Sequence, residues 1–411
     1  MQLPANRKLD KYIGYCLIVV FLPVTRLLGI LLRRNHRLQQ PPQHLLFIKL
    51  LGLGSLVVAT ESIQAMRRKF PGTRFILLTD NNIASGIEPF HVFDEIWPID
   101  TTSLSHTIST SLKYIAQSWR LKKLWVADLE VYSKLTTVYA LFTMARNRFG
   151  FHLQPVFFRK YLNTHNIPFK QATCLEDNYN HMAQVITNTN ELPLAETERA
   201  VRTDEWQKPY IILNNTCSSL APVRKLPDDT FATICSWILN HTPYRVAFLG
   251  TGNDKPGIDQ FIDEYLPDWK QKGKLFNIAG ALDFEAYYGF IADKGVCMVT
   301  IDSGPLHIAR KLGLPTVSIW GPTNPTSYMK IPAAAEKRHL FHYNKVACSP
   351  CVHHHEELPC GGNNFCMKDV QAESIIEKIS QLLEHLKAAS TAVTTAATYK
   401  TQSPCFDQKD I

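Results

Sequence analysis

The sequence predicts an α/β protein of two doubly wound parallel-sheet domains, preceded by a hydrophobic helix. Three observations predict it. Short apolar runs alternate with amphipathic helical patterns through both halves of the chain, as in repeated β-α-β units. Several of these runs are apolar at every position, as strands buried on both faces are. The 411 residues exceed one ordinary core, so two domains are expected.

Composition narrows the class. The chain is 45% hydrophobic and 19% charged, which suits large buried cores, and its net charge is +8. Basic residues concentrate near the start (Arg7, Lys8, Lys11, Arg26, Arg33, Arg34, Arg37) and again at Arg67, Arg68 and Lys69. That favours anionic membrane surfaces or phosphorylated ligands. No nucleic-acid motif or basic-aromatic interleaving is present, so nucleic acid is not an expected partner. Six of the ten cysteines are scattered, which suits a reducing compartment.

Residues 12–32 (YIGYCLIVVFLPVTRLLGILL) form the most hydrophobic stretch, close to the roughly 20 residues a spanning helix needs. Pro23 and Arg26 interrupt it and no small-residue cleavage site follows. Residues 1–40 therefore read as a membrane anchor or an in-plane hydrophobic segment, with the body on the cytoplasmic side. Residues 44–51 (HLLFIKLL) are a buried strand running into Gly52-Leu53-Gly54-Ser55 and a helix to Phe70. A glycine-rich turn there lets a ligand approach the backbone. Arg74–Leu78 (RFILL), Glu95–Ile99 and residues 123–128 follow as strands. Carboxylates stand at or near their ends: Asp80, Asp128 and Glu130, with Glu61 in the intervening helix. Residues 163–205 read as a polar helical linker, completing a first domain over 44–205.

The second domain, 206–387, opens with the strand PYIIL and the hydroxyl-rich loop Asn214–Ser219, then Arg224-Lys225. Short donors followed by cations are suitable phosphate chemistry. Residues 245–249 lead to a second glycine loop containing Gly252. The stretch VTIDSGPLHIARKLGLPTVSIWGPTNP then reads strand, tight loop, helix, strand, loop ending on Gly321. The backbone of Ser303 and Gly304 can meet an anion at the helix start, with Asp302 and His307 beside it. Cys348, Cys351, Cys360 and Cys366 are spaced C-x2-C-x8-C-x5-C, open to structural zinc, packing thiols or a local disulfide. Residues 371–386 read as an amphipathic helix and 388–411 as a disordered tail.

DSGPLHIA followed by LGLPTVSIWGPTNP resembles the C-terminal signature of glycosyltransferase family 9, the heptosyltransferases. The strand, glycine turn, helix and Phe-Pro-Gly near residues 44–78 resemble that family's opening. Arg224-Lys225-Leu226-Pro227 resembles its basic-basic-Trp-Pro element. The resemblance implies two Rossmann-like domains facing a cleft, the glycosyltransferase-B arrangement. It also implies inverting, metal-independent transfer of a sugar, ADP-heptose being the donor, to a lipid-linked saccharide at the inner membrane. Donor contacts would come from Asp302, Ser303, Gly304, His307, Thr216, Arg224, Lys225, Gly252 and Gly321. Gly54, Asp128 and Glu130 would stand on the acceptor side. Many members have Gly-Asp where this chain has Gly54-Ser55, which leaves Glu61, Ser55 and Asp80 as base candidates. A different activated sugar, an epimerase or hydrolase of the same architecture, and a non-catalytic glycan-assembly partner remain as alternatives.

Overall fold

The computed structural model describes residues 3–31, 35–153, 159, 162–192, 208–217, 222–328, 330–352 and 358–401. The chain divides into two units. Unit 1 comprises Met1–Thr197 with Thr326–Lys330, and unit 2 comprises Glu198–Pro325 with Ile331–Ile411.

Unit 1 opens with helix α1 (Leu3–Leu31). Strand β1 (His44–Ile48) follows, then α2 (Leu53–Lys69), β2 (Arg74–Asp80), α3 (Asn81–Ile87) and β3 (Glu95–Ile99). Next come α4 (Leu104–Ser118), β4 (Leu124–Asp128), α5 (Lys134–Phe142), β5 (Asn147–His152), β6 (His165–Pro168) and α6 (Leu175–Thr187). The strands form one parallel sheet in the order β3-β2-β1-β4-β5-β6. Strand order reverses between β1 and β4, so their carboxyl ends flank a crevice of the kind that takes ligands in open α/β sheets. Polar side chains start the helices: Ser103 accepts from the His106 amide and Ser133 from the Thr136 amide. Gly52, at φ 81°, makes the strand-to-helix turn that a side-chain-bearing residue would strain. One core face joins Leu46, Ile48, Trp97 and Val126 with Tyr114 of α4 and Ala140 of α5.

Unit 2 contains β7 (Tyr210–Asn214), α7 (Asp228–His241), β8 (Arg245–Phe248), α8 (Lys255–Tyr265), α9 (Pro267–Gln271), β9 (Leu275–Asn277), α10 (Phe284–Lys294) and β10 (Gly295–Ile301). It continues with α11 (Gly304–Lys311), β11 (Thr316–Trp320), β12 (His339–Tyr343), α12 (Phe365–Lys368) and α13 (Ala372–Thr401). Its parallel sheet runs β12-β11-β10-β7-β8-β9, and the order reverses between β7 and β10. α13 closes one face through Ile375, Ile379, Leu382 and Leu386, all buried in the unit 2 core.

Several expectations change. The tail expected to be disordered from residue 388 continues α13 to Thr401, because its alanines are strong helix formers; residues 402–411 lie outside the described ones. The expected helical linker over 163–205 contains the strand β6, with α6 beyond it; 193–205 lie outside the described residues. Thr326–Lys330, expected in the second domain, belongs to unit 1. Carbonyls of Ser327 and Tyr328 accept the Leu175 and Glu176 amides at 2.7 and 3.0 Å, satisfying donors that begin α6. Lys330 pairs with Asp177 at 2.7 Å. Among the described residues, no helix is long and apolar enough to cross a membrane.

Candidate functional site

The unit 2 site is built on the ends of β7 and β10. Asn214, the last residue of β7, is buried. Its carbonyl oxygen accepts from Ser303 Oγ at 3.1 Å and Thr300 Oγ1 at 3.3 Å. Its amide donates to Thr216 Oγ1 and the Leu249 carbonyl, both at 2.9 Å. One side chain thus ties both strand ends to the Thr216 loop. Asn215 exchanges two hydrogen bonds with the Leu226 backbone, and Asn364 donates to the carbonyls of Val223 and Lys225. The loop carrying Arg224 is therefore held from two sides.

Asp302 lies at the centre and is 1% exposed. Arg224 Nη1 is 3.3 Å from its Oδ2 and His307 Nε2 is 3.6 Å from its Oδ1. The buried Thr323 hydroxyl also lies beside this carboxyl and favours its ionised form. Burial alone would raise the Asp302 pKa. His307 and the Arg224 charge outweigh it and hold the carboxyl at about 2. His307 is pushed below its ordinary value, chiefly by burial and against the pull of Asp302, so at neutral pH it is a neutral imidazole. Burial also lowers Arg310 to about 10, still cationic at neutral pH. Ser303 precedes α11 with its hydroxyl turned to Asn214 rather than to the helix amides. At the start of α11 Pro305 has no N–H and the Leu306 amide bonds the Ser303 carbonyl at 3.2 Å.

Other expected donor residues divide. Thr216 joins the Asn214 network. Lys225 pairs instead with Asp228 at 2.8 Å on the surface. Gly304 has open space around its Cβ direction, as does Gly252. Gly321 is a packing position, since a Cβ there would come 2.9 Å from Cys366 Sγ and Met367 Sδ. Gly280 escaped sequence reading. Its φ is +68° and an added Cβ would lie 2.5 Å from Gly252 Cα. Gly280→Ala is expected to cost about 2 kcal/mol or more in a urea melt, from left-handed backbone strain plus the clash.

In unit 1 the carboxylates expected on the acceptor side have internal partners. Asp128 is fully buried and ion-paired to Arg159. It also accepts from Thr136 Oγ1 at 2.9 Å and the Glu130 amide at 3.0 Å. Burial raises its pKa and Arg159 opposes the rise. Glu130 accepts the Leu50 and Leu51 amides at 2.9 and 2.8 Å and pairs with Lys49 at 3.1 Å. Glu130 fastens the loop after β1, and Asp128 ties the end of β4 to α5 and Arg159, so each carboxylate is spent on internal partners. Gly54 is buried in the first turn of α2. Ser55 donates to the Gly52 carbonyl at 2.7 Å and bonds the Tyr179 hydroxyl, so no carboxylate activates it there.

Glu61 is in the third turn of α2, about 12 Å along the axis from its start, where its charge helps raise the pKa of the largely buried Glu176. Asp80 stays at the strand ends. β1 pairs Ile48 with Leu78, which puts Asp80 level with Leu50 beside the glycine turn. It is half-buried, accepts the Asn82 amide at 2.9 Å and bonds Thr101.

The four clustered cysteines are not disulfide-bonded and line one small cavity with Val223, Pro322 and Asn364. Among the described residues, no group of three or more His, Cys, Asp or Glu is placed to hold a metal ion. His353–His355 lie outside the described residues.

Two parallel six-stranded units, each with its loops gathered at the point where strand order reverses, define a protein of the glycosyltransferase-B fold. The match extends to solved structures. The chain is similar to the ADP-heptose lipopolysaccharide heptosyltransferase II of E. coli, at 16% identity and a TM-score of 0.60, over 84% of this chain and 99% of that one. It is likewise similar to an E. coli heptosyltransferase solved with ADP-2-deoxy-2-fluoro heptose, at 11% identity and a TM-score of 0.59, over 82% and 99% of the chains. Residues 138–360, more than half of the chain, match glycosyltransferase family 9 (heptosyltransferase). The chain belongs to that family. Among curated relatives, a lipooligosaccharide heptosyltransferase 2 of Campylobacter jejuni is 36% identical over 186 residues, 43% of this chain and 55% of that protein. Its Haemophilus influenzae namesake is 25% identical over 166 residues, 40% of this chain and 45% of that protein. The chain thus spans about half the length of the curated relatives it matches.

Proposed function

We propose that this protein is an inverting glycosyltransferase that moves heptose from ADP-heptose to a lipid-linked saccharide of the lipopolysaccharide core, at the cytoplasmic face of the inner membrane. The observation that carries the reading is the buried Asp302, flanked by Arg224 and His307 at the start of α11, inside the family-matched region. In this reading Arg224 meets the charge that develops on the leaving diphosphate. The Asp302 carboxylate accepts a donor hydroxyl, and neutral His307 adds a donor or acceptor beside it. On the acceptor side the base is Asp80, the partly exposed carboxylate at the mouth of the β1 turn. It takes the acceptor hydroxyl's proton as the oxygen attacks the anomeric carbon and ADP departs.

Titration calorimetry of the chain against ADP-, UDP-, GDP- and CMP-sugars tests the donor. Preference for ADP-heptose is the expected result. Preference for another nucleotide sugar would keep the site and sink the heptose assignment. Binding of none by folded protein would move the protein to a non-catalytic role. The base is tested by substitution. Asp80→Asn is expected to lower kcat about 100-fold or more with donor affinity intact, whereas Glu61→Gln stays within about threefold. The opposite pattern would return the role to Glu61.

A further inference from the structure

α1 has two faces of different fate. Its inner face packs on α5, where Ile18 is buried with Val138 and Leu162, and Phe21 meets Phe142 edge-on at 4.8 Å between ring centroids. Its outer face is apolar and uncovered. Tyr12, Cys16, Val20, Val24, Leu27 and Leu31 are all exposed, Tyr12 at 66% and Leu31 at 67%. They recur at three- and four-residue spacing, so they form one row about 28 Å long. A second exposed row, Leu104, Ile108 and Leu112, runs along α4. The same unit places Trp119 near α1: its indole donates to the Phe142 carbonyl at 2.7 Å, and its ring is 61% exposed. Contiguous apolar surface of this extent marks an interaction site.

Charge identifies the occupant. Residues 1–40 carry seven cationic side chains against the single carboxylate Asp10. Arg7, Lys8 and Lys11 lie in the first turns of α1, and Arg33, Arg34 and Arg37 follow its end. A helix with one apolar face, aromatic residues along it and cations at both ends has the design of one lying in a bilayer interface. We propose that α1 is an in-plane membrane helix, its Tyr12–Leu31 row embedded in an anionic lipid surface and Trp119 at the rim. This deepens the membrane component of the proposed function but does not depend on sugar transfer.

The test is flotation of the full chain with vesicles of phosphatidylcholine alone, or of phosphatidylcholine with phosphatidylglycerol, at low and high salt and with no donor or acceptor present. Wild type is expected to float with the anionic vesicles and to be released by salt. The double variant Val20→Glu, Leu27→Glu alters only outward residues. It is expected to keep its circular dichroism spectrum and lose about tenfold or more in partitioning. Variant and wild type floating equally, or wild type remaining lipid-free, would overturn the proposal. So would a wild-type dimer without flotation that the double variant dissociates, since the face would then belong to a second copy.

Discussion

Asp302→Asn is expected to lower kcat/KM about 100- to 1,000-fold, with donor affinity by calorimetry falling in step. The carboxylate is nearly inaccessible, with the Arg224 cation 3.3 Å from one oxygen and the neutral His307 imidazole 3.6 Å from the other. Asn keeps the shape but removes the charge that orients both groups, and truncating a buried charge partner costs several kcal/mol. The substitution also has a pH signature. The folded pKa of about 2 lies below the ordinary 3.8, so ionised Asp302 contributes roughly 2 kcal/mol of stability. That contribution is full above about pH 4 and disappears as pH falls toward 2. Urea melts across this window should show wild type losing stability that the variant never had. Unchanged donor affinity in Asp302→Asn would remove Asp302 from the site.

The second large effect is structural. Asp128→Ala is expected to destabilise the protein by about 3–5 kcal/mol, because it leaves the Arg159 guanidinium buried without its counter-ion. Replacing both by apolar residues, Asp128→Leu with Arg159→Met, should restore most of that loss in a denaturant melt. If the single variant were as stable as wild type, the pair would not be the anchor described above.

What the sequence reveals follows from the range of the interaction. β1, β10 and β11 are apolar on both faces, so their strands are legible at once. β6 is not, because HNIP is a polar edge strand ending in proline, tolerated only where one side needs no partner. Asp302, Ser303 and His307 stand within six residues, and a local pattern is enough to find them. The partner of Asp128 lies 31 residues away and that of Asp302 lies 78 away. Strand-end carboxylates look alike in sequence whether they meet a ligand or a buried arginine. Only the fold separates Asp80, which keeps access, from Asp128 and Glu130, which do not. Asn214 is hidden for the same reason: a strand-end asparagine becomes an organiser only once β10 is laid beside β7.

Thr326–Lys330 bears on how such a protein can be inherited. The carbonyls that cap α6 and the lysine that pairs with Asp177 are encoded between the two segments of unit 2, although they belong to unit 1. A gene fusion with one junction near residue 198 would join one parent's α6 to the other parent's cap. Exchange between relatives therefore needs three junctions, or a cap compatible with both parents. The two units are accordingly expected to diverge by substitution within one lineage more readily than by shuffling halves.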